Sequence, residues 1–142
     1  MMLQEFMASG ILGPIHLGLS KGSVQYILGD PQATSDRRKG LELWKYDDLQ
    51  LAIYQDAVYF IGVYVSGDSI KLPPPLVFDE HILAQIMRLE DMKKFLLANK
   101  IAFDVDDKLT FDDQTCLRIA ESRVGIYFDE KLRSLQLIEH ED

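Results

Sequence analysis

Between Trp44 and Val65 the chain alternates apolar and polar positions with a period of two. Trp44 and Tyr46 flank Lys45, Leu49, Leu51 and Ile53 alternate with Gln50 and Ala52, and Tyr59, Ile61, Val63 and Val65 make a third series. That period, carried by β-branched and aromatic residues, predicts three half-buried strands. Asp47-Asp48 and Gln55-Asp56 stand where two-residue hairpin turns belong, although neither contains the Gly that favours them. Gly62, inside the third strand, predicts a bulge or the close approach of another backbone.

Upstream the period changes to that of a helix. Leu3, Phe6 and Met7 have the i, i+3, i+4 spacing of one apolar face, which predicts a short helix closed by Pro14. Ser20 is a suitable N-cap for a second helix in which Val24, Ile27 and Leu28 share a face and Gly29-Asp30-Pro31 forms the stop. Gly22 weakens its first turn by about 1 kcal/mol relative to Ala, so packing must hold this helix in place. Gln32 to Gly40 lacks any period and reads as a polar loop. It holds Arg37-Arg38-Lys39, the one basic cluster, which suits contact with an acidic partner or a phosphate and equally suits a solvated loop.

Downstream, Pro73-Pro74-Pro75 stiffens a linker over 67–77; it lacks the PxxP pattern of a proline-recognition ligand. Asp79 can cap a helix with Ile82, Leu83, Ile86 and Met87 on its apolar face, and a further helix from about Glu90 presents Met92, Phe95 and Leu96. An acidic, turn-rich connection follows at Asp104 to Asp107 and Asp112-Asp113. Three more strands are predicted over Thr115 to Ala120, Arg123 to Phe128 and Leu132 to Ile138.

The two halves read alike. Setting Trp44 over Leu117 places Tyr46 over Ile119, Leu51 over Val124, Ile53 over Ile126, Tyr54 over Tyr127 and Asp56 over Asp129. The helical faces Val24, Ile27, Leu28 and Met92, Phe95, Leu96 match as well. The expectation is an α+β fold: a single domain, 1–142, of two tandem repeats, 1–66 and 78–142, each helical and then a three-stranded antiparallel meander. Either half alone is marginal, so the two should pair into one continuous antiparallel sheet with helices on one face.

Leu19-Ser20, Val24, Leu28-Gly29-Asp30-Pro31 and Trp44-Lys45-Tyr46 before an alternating strand resemble the β-lactamase-inhibitor-protein-like modules. They are also similar to the small outer-membrane assembly lipoproteins that share the helix-then-meander plan. The resemblance covers the first half and, in the second, the order of elements. It implies helices packed on an antiparallel sheet and, for the inhibitor-type modules, a sheet that binds another protein. The paired cysteines and lipidation cysteine of such relatives have no counterpart here, and no binding residue carries over.

Composition narrows the function further. The formal net charge of -8 and pI near 4.8 argue against a phosphate-binding surface of the kind nucleic acid requires, and suit either a solvated acidic surface or the attraction of a basic protein. The single Cys116 permits no internal disulfide, the first residues lack a basic n-region, and no apolar run reaches the roughly 20 residues of a membrane span. A cytoplasmic protein without membrane association is expected.

Candidate chemistry is sparse. His16, His81 and His140 are widely spaced, Cys116 reads as a buried thiol, and the Asp104–Asp113 cluster lacks the order of a calcium loop. Phosphate-loop, dinucleotide and nucleophile-elbow motifs are absent. The expectation is therefore a non-catalytic protein-binding module without cofactor or metal, of inhibitor or immunity type, with Trp44, Tyr46, Tyr54, Tyr59 and Tyr64 as aromatic anchors and Arg37 and Arg38 beside them. For the aromatics the alternative is core packing, which Trp44 favours. The rival function is a small-ligand binder or enzyme with a pocket between the repeats, near His16 or His81.

Overall fold

The computed structural model describes residues 2–139, so the acidic tail with His140 lies outside the described residues. The elements run α1 (Met2–Ser9), α2 (Lys21–Leu28), β1 (Ala33–Arg38), β2 (Leu41–Tyr46), β3 (Leu49–Tyr54), β4 (Ala57–Tyr64), α3 (Glu80–Ile86), α4 (Leu89–Ala98), β5 (Phe103–Val105), β6 (Thr115–Ile119), β7 (Gly125–Phe128) and β8 (Leu132–Ile138). All eight strands form one antiparallel sheet in the order β1-β2-β3-β4-β8-β7-β6-β5. The order is palindromic: each half is a meander, and the halves meet where β4 pairs with β8 through Ile61–Leu137 and Val63–Leu135.

Each meander holds one strand more than the alternation predicts. Residues 33–38, expected as a polar loop, are β1, joined to β2 by a two-residue turn at Lys39-Gly40 in which Gly40 has φ 81°. The acidic connection begins as β5, paired to β6 through Phe103–Ile119, Asp104–Arg118 and Val105–Leu117. The Asp47-Asp48 and Gln55-Asp56 turns form as expected, and Gln55 and Asp56 adopt the positive φ that such turns usually reserve for Gly or Asn. By strand register the counterpart of Leu51 is Ile126, not Val124. Leu51 pairs with Trp44 and Ile61, and Ile126 with Leu117 and Leu135, because the β6–β7 loop is longer than its equivalent.

One core lies between the helices and one face of the sheet. Leu3, Phe6 and Met7 of α1, Val24 of α2, Leu83 and Ile86 of α3 and Met92 and Leu96 of α4 pack on Leu51, Ile61, Leu117, Ile126 and Leu135. Helix α1 ends at Gly10 rather than Pro14: the Gly10 amide bonds the Phe6 carbonyl with φ 78°, and a Cβ there would lie 2.8 Å from Leu137 Cδ2. The same helix is fastened to the second half, since Ser122 Oγ donates to the Met7 carbonyl at 2.7 Å and Gln4 Nε2 to Asn99 Oδ1 at 2.9 Å.

The segment after β4 is packed rather than spacing. Ile70, Pro73 and Leu76 are buried against the core. Asp48 ties it down: one carboxylate oxygen accepts from Ser66 Oγ at 2.7 Å and the other from the Lys71 amide at 2.7 Å, while its own amide bonds the Lys71 carbonyl. Lys131, from the β7–β8 turn, adds bonds to the Gly67 carbonyl and Asp68.

Candidate functional site

The sheet face turned away from the helices is covered by no other element described. One register row crosses all eight strands: Ala33, Lys45, Gln50, Gly62, Gln136, Gly125, Arg118 and Asp104. Beside it a shorter row joins Tyr64, Ser134, Tyr127 and Cys116, and another joins Leu43, Ala52, Phe60 and Ile138. Small residues alternate with rings, and the rings lie down over the small residues. A Cβ on Gly62 would stand 2.8 Å from both the Phe60 and the Tyr64 ring, so only glycine permits this cover. Gly125 is roofed in the same way by the Arg118 guanidinium, 2.9 Å from such a Cβ, and by the Tyr127 ring.

Tyr54 and Tyr59 extend the aromatic surface. Their rings meet edge to face with centroids 5.6 Å apart, an arrangement that places Tyr59, at the β3–β4 bulge, on the same face as Tyr54. Five rings, Tyr54, Tyr59, Phe60, Tyr64 and Tyr127, therefore form a half-buried surface over strands β3, β4 and β7. Burial raises the Tyr64 hydroxyl above its ordinary pKa and takes that of Tyr127 to about 12, with Cys116 adding to the latter, so both rings stay neutral at physiological pH.

Arg118 is the buried charged residue of this face, only 5 % exposed. Its Nη2 and Nε bond Asp106 Oδ2 at 2.9 and 3.2 Å, and Nη1 bonds the Arg123 carbonyl at 3.0 Å. Asp106 also caps the short 3-10 turn Asp107–Leu109. The guanidinium beside it, burial working the other way, and the turn amides together hold its carboxyl below the ordinary value. This ion pair, buried at Arg118 and half-buried at Asp106, has no signature in the alternation of β6; only the acid-rich stretch upstream hinted at a partner.

Two expected anchors lie on the opposite side. Trp44 and Tyr46 face the helices and are buried in the core, because their strand positions have the parity of Leu51 rather than of Gln50. Trp44 Nε1 bonds Glu42, and Lys21 of α2 bridges to the same Glu42 at 2.9 Å with its ammonium 5.6 Å from the Trp44 ring centroid. Arg38 is exposed at the end of an edge strand, with Asp36 and Glu42 beside it, in the register row that runs through Leu41 to Tyr54 and two strands away from that ring; the side chain of Arg37 lies outside the described residues.

Both histidines that the rival reading places beside a pocket are exposed. His16 is exposed, with Nδ1 2.8 Å from the Leu17 carbonyl, and His81 is exposed at the start of α3. One open depression of about 740 Å³ is lined by charges of both signs, Asp68, Arg88, Glu90, Asp91 and Lys131 among others, with Lys131 bridged to Asp68 at 2.9 Å. Among the described residues no group of three or more His, Cys, Asp or Glu is arranged to hold a metal ion, and no helix is long and apolar enough to cross a membrane.

Comparison with known proteins returns little. No family model matches the chain, and no curated protein matches it. Among solved structures it is similar to an extracellular protein containing a SCP domain from Bacillus anthracis str. Ames, at 14% identity and a TM-score of 0.47 over 87% of this chain. The match spans 44% of that protein's chain.

Proposed function

We propose that this chain is a non-catalytic protein-binding module that engages its partner through the helix-free face of the sheet. The observation that carries the reading is the ring surface of Tyr54, Tyr59, Phe60, Tyr64 and Tyr127 on a face with no cover of its own. Half-buried aromatics lose little side-chain entropy on contact, and such residues dominate binding energy at protein interfaces. The net charge of -8 supports a basic partner, drawn in by long-range attraction. The resemblance of residues 19–46 to inhibitor-type modules supports the same reading, and its concrete form is an inhibitor or immunity-type protein that occludes a basic target.

The test is site-specific photocross-linking in the native cell. A photoreactive residue replacing Tyr54 or Tyr64 should trap one discrete protein. The same residue replacing Tyr26, which is 92% exposed on α2, should not. Equal trapping from all three positions, or none from the sheet face, would overturn the reading.

A further inference from the structure

The sheet has two edges, and they differ in what they offer. In β5 the Asp104–Arg118 pair is a hydrogen-bonded one, because on either side of it the Ala120 amide bonds the Ala102 carbonyl and the Asp106 amide bonds the Cys116 carbonyl. The alternation of an antiparallel ladder then turns the amides and carbonyls of Phe103 and Val105 outward, away from β6. Side chains alternate too. Phe103 and Val105 lie on the helix side with their partners Ile119 and Leu117, and Val105 is 42% exposed there; Asp104 stands exposed on the other side. The surroundings are acidic: residues 103–118 include Asp104, Asp106, Asp107, Asp112 and Asp113 against Lys108 and Arg118.

The opposite edge is defended. β1 is bulged between Asp36 and Arg38, and Arg38 and Lys39 at its end repel a basic strand. Bulges, edge cations and shortness are the usual means by which a strand refuses a neighbour. β5, three residues long, has only the last.

We infer that the β5 edge accepts an extended basic segment of a partner protein as a ninth strand. Resting on the reading that the module binds a basic protein, this inference adds where the charged contact is made. Main-chain bonds to Phe103 and Val105 supply the pairing. Apolar residues of the segment fall beside Val105, and alternate Lys or Arg residues fall on the Asp104 side. The favoured ligand therefore alternates basic and apolar positions.

The probe is a capped short peptide alternating Lys and Val, with a Glu-Val peptide as control, followed by amide exchange and fluorescence anisotropy on the intact chain. The Lys-Val peptide should slow exchange at Phe103 and Val105 and weaken with added salt; the Glu-Val peptide should do neither. Val105→Pro removes one outward amide and Asp104→Lys reverses the adjacent charge. Each should weaken binding by roughly tenfold, and thermal melts of both variants establish that the fold is kept. Protection at β1 or on the ring surface, equal binding of both peptides, or a peptide-free dimer protected at β5 would overturn the inference. Cross-linking from positions 54 and 64 that persists in Asp104→Lys, while the edge stays unprotected, removes the inference and leaves the proposed function standing. Edge protection with no cross-link from the sheet face does the reverse.

Discussion

Tyr46 donates its hydroxyl hydrogen to the carbonyl oxygen of Gly29, 2.8 Å away, and so closes the C-terminal end of α2 from the sheet below it. Lys21, bonded to Glu42 and set over the Trp44 ring, fixes the other end. The two aromatics with the most obvious look of binding anchors thus fasten a helix of only two turns that carries Gly22 in its first turn.

Replacing Tyr46 by Phe removes that bond and should cost about 0.5–1.5 kcal/mol of stability at neutral pH. Burial, assisted by Asp30, raises the Tyr46 hydroxyl from 10.0 to about 12. The native state therefore keeps a proton that the unfolded chain releases, and stability falls as pH rises through that interval. Tyr127 contributes in the same direction. Urea melts from pH 8 to 11 should show the decline, and Tyr46→Phe should flatten it.

Asp48→Ala should loosen the segment after β4. The two side-chain bonds, to Ser66 and the Lys71 amide, involve a carboxylate, for which a loss of about 1.5–3 kcal/mol is typical of one such bond. Faster exchange of the Lys71 amide, with β2 and β3 unaffected, would localise the effect.

Gly62→Ala tests the ring cover. A Cβ ordinarily favours a strand over Gly by about 0.5–1 kcal/mol, but here it meets Phe60 and Tyr64 at 2.8 Å. Displacing both rings should win, for a net loss of about 1–2 kcal/mol by melting. Tyr64→Ala in the same background should recover part of it.

Asp106→Asn probes the half-buried pair with Arg118. Because the native carboxyl is held below its ordinary 3.8, the unfolded chain takes up a proton at a higher pH than the folded one. The contribution is fully present above that ordinary value and fades as pH drops below it. The variant should lose about 1.5–3 kcal/mol at pH 7 and show a shallower acid limb in denaturant melts.

The strands that alternate were legible because burial on one face imposes the period. β1 was not, since Ala33-Thr34-Ser35-Asp36 is exposed throughout and is held by backbone bonds alone, which leave no mark on residue choice. β5 is too short to display a period at all. Which face the aromatics take was equally hidden: Trp44 and Tyr46 share a parity with Leu51, while Tyr54 and Tyr64 take the other, and only the register across β2, β3 and β4 fixes which parity meets the helices. Lys39-Gly40, inside the stretch that reads as a polar loop, is the two-residue turn of the first hairpin.

The palindromic strand order also sets a schedule for folding. β8 sits at the centre of the sheet, yet two helices and three strands separate it in the chain from its neighbour β4. During synthesis the first meander emerges with the apolar edge of β4, Ile61 and Val63, still unpaired until residues 132–138 arrive. Until then it is a half-built sheet with a sticky side, a species prone to pair with its own copies. Crowded translation of this chain should therefore depend on chaperones that shield β4, more than the stability of the finished fold would suggest.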